Sequence, residues 1–219
     1  MERVLSAIQH HAGLAEILVI DDGSTDNSRE ILSGYSQIHL IRHPRNLGYG
    51  QSLINAFGYA MDLGFEALVT IDCDEQHEPQ RIPEFFGRLT EGWDIVSGSR
   101  YLGASAVQGT VPGDRQKINQ EITQQINVLT GYNLTDSFCG LKAYRVAALQ
   151  QLRLTETGYG FPLQLWLQAY RLGLRVTELP VARIYIDGMA RSFGPQLDNP
   201  EERLRYYQQV IAKEVARWK

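Results

Sequence analysis

The sequence predicts an α/β fold in which helices flank a mostly parallel sheet. Short apolar runs rich in β-branched residues alternate with segments of helical periodicity through the first half of the chain, which is the pattern of parallel α/β sheets. The 219 residues are 43% hydrophobic and 21% charged, an ordinary composition for one globular domain over residues 1–219. The net charge of −4 argues against a nucleic-acid partner, because general nucleic-acid binders carry a basic stripe.

Cysteine usage and hydropathy bear on the compartment. Cys73 and Cys139 form neither a CxxC pair nor a disulfide framework, which favours a reducing environment. No apolar run approaches the ~18–20 residues of a membrane span, and the first residues are too polar for a signal peptide. We therefore expect a cytoplasmic protein.

Periodicity and turn residues define the individual elements of the first half. The apolar residues of Glu2–His11 fall on one helical face, and Gly13 ends that helix. We then predict strand 16–20, helix 27–34, strand 38–41, a helix that opens at 46–50 and runs to 63, and strand 67–71.

The second half is predicted from the same signals. Pro79 and Pro83 lie near the start of a helix, and glycine and proline make 103–113 a loop. The remaining elements are strand 94–98, helix 114–130, a turn at 136–140 that leads into a strand, helix 161–172, strands 175–179 and 181–186, and a final helix from Asn199.

Two carboxylates follow the apolar strand 67–71. Asp72 and Asp74 lie just past its carboxyl end, which is where open α/β sheets bind ligands. Carboxylates so close repel each other unless a cation lies between them, and hard oxygen ligands suit Mg²⁺ or Mn²⁺. Gln76 adds a neutral oxygen. His77 could also ligate the cation, but a histidine beside a turn is more often a surface residue, so we expect it at the surface. The alternative is that the two aspartates only cap a helix or decorate a turn.

A second acidic strand end is formed by Asp21 and Asp22, which follow strand 16–20. These residues can form a tight turn and a helix cap. Alternatively, a carboxylate here accepts a hydrogen bond from a nucleotide base or a ribose hydroxyl. Because the carboxyl ends of parallel strands meet at one edge, we expect both acidic tips on one rim, where a cation-bridged diphosphate would bind.

Several other positions are candidates. Gly48 and Gly50 lack the third glycine of a dinucleotide fingerprint, since Leu53 stands there, so we interpret them as close backbone packing near a ligand. Arg100 is either a phosphate clamp or a solvated loop residue. Asp136 near Lys142 is either a structural ion pair or part of the reacting centre. The loop at 191–194 suits closure over phosphates.

Together these segments resemble family 2 glycosyltransferases of the GT-A fold, in particular the polyprenyl-phosphate mannosyl- and glucosyltransferases. The resemblance covers nearly the whole chain and rests on residues 16–26, 46–48, 72–77, 97–100, 136–142 and 191–194. It implies a Rossmann-like α/β fold with a mostly parallel sheet. It also implies inverting transfer from a nucleotide-diphosphate sugar of the GDP-mannose or UDP-glucose type. The implied acceptor is polyprenyl phosphate, reached by peripheral contact with the membrane surface.

The resemblance also implies roles for individual residues. The nucleotide would be contacted by Asp21, Asp22, Gly48 and Asp72, and the ligands of Mg²⁺ or Mn²⁺ would be Asp72, Asp74 and Gln76. The catalytic residues would be Asp136, Arg100 and Arg191. The phosphate or the acceptor would be contacted by Lys142 and Ser192. Cation and arginines would neutralise charge on the leaving diphosphate. A phosphate acceptor needs no general base, whereas a hydroxyl acceptor needs one, for which Asp136 is the candidate.

The chain departs from the family pattern at three places. It begins inside the first helix of the family, without the preceding strand that is normally central in the sheet, so either the start lies upstream of Met1 or the sheet closes its gap in another way. Gln164 replaces a glutamate, and Cys139, Leu141 and Lys142 change a Ser-Gly-Phe-Arg-like stretch. The alternatives are a catalytically silent nucleotide-sugar binder, a transferase with a hydroxyl acceptor, or a metal-dependent nucleotidyltransferase, which would normally show a glycine-rich basic phosphate loop.

Overall fold

The structure, a computed structural model, describes residues 1–103, 106–109, 113–186, 193–194 and 197–218. The helices are α1 (Glu2–His11), α2 (Ser28–Ser33), α3 (Tyr49–Asp62), α4 (Ile82–Thr90), α5 (Gly113–Thr130), α6 (Val146–Leu149), α7 (Phe161–Arg171) and α8 (Pro200–Ala216). The strands are β1 (Ile17–Asp21), β2 (Ile38–Arg42), β3 (Ala67–Thr70), β4 (Ile95–Ser99), β5 (Val107–Gln108), β6 (Lys142–Arg145), β7 (Val176–Pro180) and β8 (Arg183–Ile184).

Parallel pairing predominates, as predicted, with β6 as the exception. The largest sheet has the order β3–β6–β4–β7, in which β6 runs antiparallel to both of its neighbours and β4 runs parallel to β7. The pairs β1–β2 and β5–β8 are parallel and form separate two-stranded sheets. The predicted loop at 103–113 therefore contains a short strand, and the predicted strand 181–186 is reduced to two residues.

A cavity of about 1500 Å³ separates β1 from β3. Both strands line it along their length, α1 lines it through Val4 and Ile8, and no strand of the described residues lies between them. Glu16 and Glu66 lie where the chain enters the two strands, and Asp22 and Asp72 where it leaves them. The described part of the chain therefore does not close the expected gap, and both strands deliver carboxylates to the lining of one cavity.

The hydrophobic core fixes the largest sheet between helices. On one face Ile122 and Ile126 of α5 pack with Trp166 of α7, all fully buried. On the other face Phe85 of α4 packs with Val96 of β4. Burying side chains of this size contributes ~1.5–3 kcal/mol each. This packing holds the strands in place, and the polar residues of the candidate site lie at the ends of the strands. None of the described helices is long and apolar enough to cross a membrane.

Candidate functional site

The acidic rim is the first part of the site. Asp22, Asp72 and Asp74 line the cavity together with Gly48 and Gln76. They come from the ends of β1 and β3 and from the start of α3. The structure thus brings together five residues that the sequence predicts for nucleotide or metal binding.

The carboxylate of Asp72 lies against the backbone of Gly140, where a Cβ atom would collide with it. On its other side, Nε2 of His77 lies 3.3 Å from Oδ2 of Asp72. The side chain of His77 is only 6% exposed, so its expected surface position is wrong. Burial alone lowers the pKa of His77, but the hydrogen bonds to Asp72 and Cys139 outweigh it and raise the pKa to about 10. Asp72 is therefore held in a fixed orientation.

The loop after Asp72 contains a strained residue. Glu75 has a φ of 60°, in the left-handed region that non-glycine residues rarely adopt. Such strain costs ~1–3 kcal/mol and is typical of functional sites. Beside it, Oδ1 of Asp74 accepts a hydrogen bond from the backbone N–H of Gln76 at 3.1 Å. This turn presents the predicted metal ligands to the cavity.

The donor set at the rim fits a hard divalent cation. Asp72, Asp74 and Gln76 supply only oxygen ligands, and Mg²⁺ is commonly held by one or two carboxylates with substrate phosphates and water. No group of three or more His, Cys, Asp or Glu side chains among the described residues is arranged to hold a metal. Asp72, Asp74 and Gln76 would hold such a cation, which would supply positive charge beside a bound diphosphate.

The two aspartates at the end of β1 have different surroundings. Asp21 is 4% exposed, does not line the cavity, and accepts hydrogen bonds from Ser24 N (2.9 Å) and Arg42 Nε (3.0 Å). Burial alone raises the pKa of Asp21, but the bonds from Ser24 and Arg42 lower it below its ordinary value. The nucleotide role of Asp21 therefore stays a prediction, and its observed contacts are those of a turn cap.

Asp22 reaches the cavity and also shapes its wall. Its carboxylate accepts hydrogen bonds from the N–H groups of Leu47 (2.7 Å) and Gly48 (3.0 Å). His43 Nδ1 lies 2.7 Å from the same carboxylate, and His43 Nε2 lies 2.7 Å from Asn55 Nδ2. Because the Asn55 amide donates to Nε2, the proton of a neutral His43 is on Nδ1 and points at Asp22.

The glycines of the α3 start permit a close backbone approach, as the sequence suggests. A Cβ atom at Gly48 or Gly50 would collide with backbone atoms of residues 156–158. Gln51 N donates to Thr157 O at 3.1 Å in the same contact. The turn at 46–50 is therefore tied to the segment before α7.

A second group of residues is centred on Asp136, which is fully buried. Arg100 donates to it from Nε (2.6 Å) and from Nη2 (2.9 Å), and Asn119 and the N–H of Phe138 donate as well. Burial alone raises the pKa of Asp136, but the charge and hydrogen bonds of Arg100 lower it to about 2. An acid this strong, with its oxygens already occupied, is unsuited to accept a proton from a hydroxyl group.

Lys142 does not pair with Asp136, which corrects the ion-pair alternative. Its side chain is buried, and Nζ contacts the carbonyl of Cys139 and lies 5.5 Å from the centroid of the Trp166 ring. Burial lowers the pKa of Lys142. Its phosphate role stays a prediction to which this placement lends no support. Arg191 and Ser192 lie outside the described residues; Phe193, which follows them, lines the cavity.

Three buried or half-buried polar residues that support Asp136 were not predicted from the sequence: Glu178, Asn119 and Thr123. Glu178 of β7 accepts hydrogen bonds from Thr135 N (2.8 Å), Thr135 Oγ1 (2.8 Å) and Asp136 N (3.1 Å). On α5, Thr123 donates to Asn119 at 2.9 Å, which in turn donates to Asp136. Asn119 and Thr123 are a polar pair four residues apart on an otherwise apolar helix face, and this pattern could have indicated their role from the sequence.

The hydrogen bonds of Gln164 account for the presence of glutamine where the family pattern has glutamate. Its Oε1 accepts from the N–H groups of Thr155 (2.7 Å) and Glu156 (2.8 Å), while Nε2 donates to Glu214 at 2.8 Å. A glutamate at 164 would place two carboxylates face to face. In this chain the amide is thus the partner of a buried Glu214.

Residues 1–153 match the family model described as Glycosyl transferase family 2, so the chain belongs to that family and is a glycosyltransferase. It is 28% identical over 174 residues to the undecaprenyl-phosphate mannosyltransferase of Micrococcus luteus, covering 76% of this chain and 71% of that one. It is 26% identical over 186 residues to the polyprenol monophosphomannose synthase of Mycolicibacterium smegmatis, covering 81% and 70%.

A third relative and a solved structure extend the comparison. The chain is 31% identical to the undecaprenyl-phosphate 4-deoxy-4-formamido-L-arabinose transferase of Salmonella choleraesuis, covering 83% of this chain and 53% of that one. The glucosyl-3-phosphoglycerate synthase of Mycobacterium tuberculosis, solved with Mn²⁺, UDP and phosphoglyceric acid, superposes with a TM-score of 0.72 at 19% identity, covering 96% and 72%. The predicted GT-A fold is confirmed by this likeness.

Proposed function

We propose that the chain transfers a sugar, with inversion, from a nucleotide-diphosphate donor to polyprenyl phosphate. The observation that carries the choice of acceptor is the buried Asp136 carboxylate, whose oxygens already accept hydrogen bonds from Arg100, Asn119 and Phe138 N. A phosphate acceptor is already anionic and needs no general base, whereas a hydroxyl acceptor would need one. The Micrococcus and Mycolicibacterium relatives are named for undecaprenyl phosphate and polyprenol, which supports the same acceptor class.

On the donor side, the proposed nucleotide sugar is of the GDP-mannose or UDP-glucose type. Asp72, Asp74 and Gln76 would hold Mg²⁺ or Mn²⁺, which supplies positive charge to the departing diphosphate when bound. Asp22 keeps Gly48 in place and so shapes the wall against which the nucleotide would lie.

On the acceptor side, Arg100 is the proposed phosphate ligand. Nε and Nη2 are used by Asp136, whereas Nη1 donates to no acceptor among the described residues. Asp136 therefore orients the guanidinium and leaves one edge for an incoming anion. We propose peripheral contact with the membrane that carries the acceptor.

The test is a transfer assay with labelled GDP-mannose or UDP-glucose, Mg²⁺ or Mn²⁺, and undecaprenyl phosphate in detergent micelles. We expect label in the lipid fraction with one donor, and its loss when EDTA removes the cation. Transfer to undecaprenol but not to undecaprenyl phosphate would overturn the proposal that the acceptor is a phosphate. Donor binding without transfer to any acceptor would identify a silent nucleotide-sugar binder instead.

A further inference from the structure

We propose that Arg183 is a second cationic ligand for the phosphate of the acceptor, acting beside Arg100 at the ring of Tyr101. This inference rests on the proposed function and adds a binding residue from a different strand. It concerns a phosphate monoester as the ligand, and not the diphosphate of the donor.

The geometry places both guanidinium groups at one aromatic ring. Cζ of Arg183 lies 5.2 Å from the ring centroid of Tyr101, and Cζ of Arg100 lies 5.9 Å from the same centroid. Arg183 is fixed by its backbone, because its N–H donates to Ala106 O at 2.8 Å and β8 pairs with β5. Arg100 is fixed by Asp136. Both guanidinium groups thus contact one ring and come from different elements of the fold, since Arg100 follows β4 and Arg183 lies in β8.

The charges of the two arginines are compensated differently. Arg100 forms an ion pair with Asp136, whereas Arg183 has no carboxylate within ion-pair distance among the described residues. Nε of Arg183 is buried and has no hydrogen-bond partner in the part of the chain that the structure describes. Buried N–H groups without a partner are rare, so this one requires an explanation. Burial raises the pKa of Tyr101, which therefore stays a neutral phenol and does not supply the absent negative charge.

A phosphate monoester matches this arrangement. Arg100 and Asp136 together carry no net charge. The net positive charge of these three residues therefore comes from Arg183. A planar guanidinium can donate two parallel hydrogen bonds to phosphate oxygens, and an anion that contacts both arginines would offset their positive charges. An uncharged prenol gains nothing from Arg183, so this residue would discriminate phosphate acceptors from hydroxyl acceptors.

The test compares Arg183→Gln with Arg175→Gln in steady-state transfer to geranyl phosphate, a water-soluble prenyl phosphate. Arg175 is the matched control because its Cζ also lies over an aromatic ring, 4.8 Å from the centroid of Trp93. We expect Arg183→Gln to raise the KM for geranyl phosphate about 10-fold, or ~1.4 kcal/mol of binding, with the donor KM unchanged. Arg175→Gln should change neither. An unchanged acceptor KM, or an equal rise in the donor KM, would overturn the inference.

Two further measurements separate the inference from the proposed function. Calorimetric titration of geranyl phosphate without donor should show weaker binding to Arg183→Gln than to the wild type. A wild-type protein that neither binds nor glycosylates geranyl phosphate refutes the proposed acceptor, and with it the inference. A wild-type protein that does both, and is matched by Arg183→Gln, refutes the inference alone. Arg183→Lys keeps the charge but loses the paired hydrogen bonds of the guanidinium, so its KM should lie between those of the wild type and Arg183→Gln; equal values for Lys and Gln contradict a charge role.

Discussion

Arg100 and Asp136 meet through two parallel hydrogen bonds, Nε to Oδ2 at 2.6 Å and Nη2 to Oδ1 at 2.9 Å. The carboxylate is fully buried, and the guanidinium side chain is 20% exposed. This paired geometry fixes the plane of the guanidinium as well as its distance. Arg100, which the sequence leaves open as a solvated loop residue, is therefore a rigid part of the site.

The first prediction concerns Asp136→Asn. We expect transferase activity to fall at least ~100-fold and the free energy of unfolding to fall by ~3–5 kcal/mol, because Arg100 loses its buried partner. Activity assays and urea denaturation measure the two effects. Glu202→Gln is the control: it removes the partner of Arg205 in an exposed pair and should cost less than ~1 kcal/mol. Near-wild-type stability of Asp136→Asn would contradict the structural role.

The same pair has a defined pH dependence. Arg100 lowers the pKa of Asp136 from 3.8 to about 2, so its contribution to stability is fully present above 3.8 and is lost as the pH falls through about 2. We therefore expect no change in this contribution between pH 5 and 8 (a range about one unit or more above 3.8).

The second prediction concerns Glu178→Gln. The amide keeps the size of the side chain but turns an N–H group toward the donors of Thr135 and Asp136. We expect kcat to fall about 10-fold with little change in donor KM, and a loss of ~1–3 kcal/mol of stability. The matched control is Glu84→Gln, at an exposed glutamate paired with Arg81. A donor KM that rises as much as kcat falls would argue for general unfolding instead.

The third prediction concerns Asp74→Ala. We expect loss of cation-dependent transfer in a protein that still folds, because Asp74 lies at the rim of the cavity, where its carboxylate accepts a hydrogen bond from Gln76 N within the same turn. Asp26→Ala is a close control, since Asp26 makes the same bond to Ser28 N at 2.9 Å. Rates should be measured across a Mn²⁺ titration. A variant that keeps the wild-type Mn²⁺ response would refute the metal role.

The fourth prediction concerns Gln164→Glu. The new carboxylate would face Glu214, so we expect the free energy of unfolding to fall by ~1.5–3 kcal/mol at pH 7. Repulsion favours the protonated form and raises the pKa of the new carboxyl, so the loss should shrink as the pH is lowered. Adding Glu214→Gln should restore part of the stability. Denaturation of the single and double variants at pH 5 and pH 7 tests this, and a pH-independent loss would contradict it.

Local sequence patterns locate the elements but not their pairing. The helix Glu2–His11 is predicted to the residue because Val4, Leu5 and Ile8 recur on one face. The strand predicted at 181–186 is shorter because Ala182 N donates to the side chain of Glu78, 104 residues away in sequence, instead of to a neighbouring strand. The antiparallel position of β6 depends likewise on contacts between distant segments, which periodicity does not encode.

In the site too, local sequence patterns indicate some residues, whereas contacts between distant segments determine others. Acidic residues at strand ends were predictable, but Asp21 and Asp22 differ in role because successive side chains of a strand point to opposite sides. One meets Arg42 of the neighbouring strand and the other lines the cavity. Glu178 contacts the site across 42 residues of sequence, and no pattern around it distinguishes it from a solvated strand residue.

The cavity between β1 and β3 has a mechanical consequence. No backbone ladder among the described residues joins the strand before Asp22 to the strand before Asp72. A nucleotide sugar that contacts both carboxylate groups would add a link between β1 and β3, which lie in different sheets. Donor binding would then raise the resistance of the protein to unfolding.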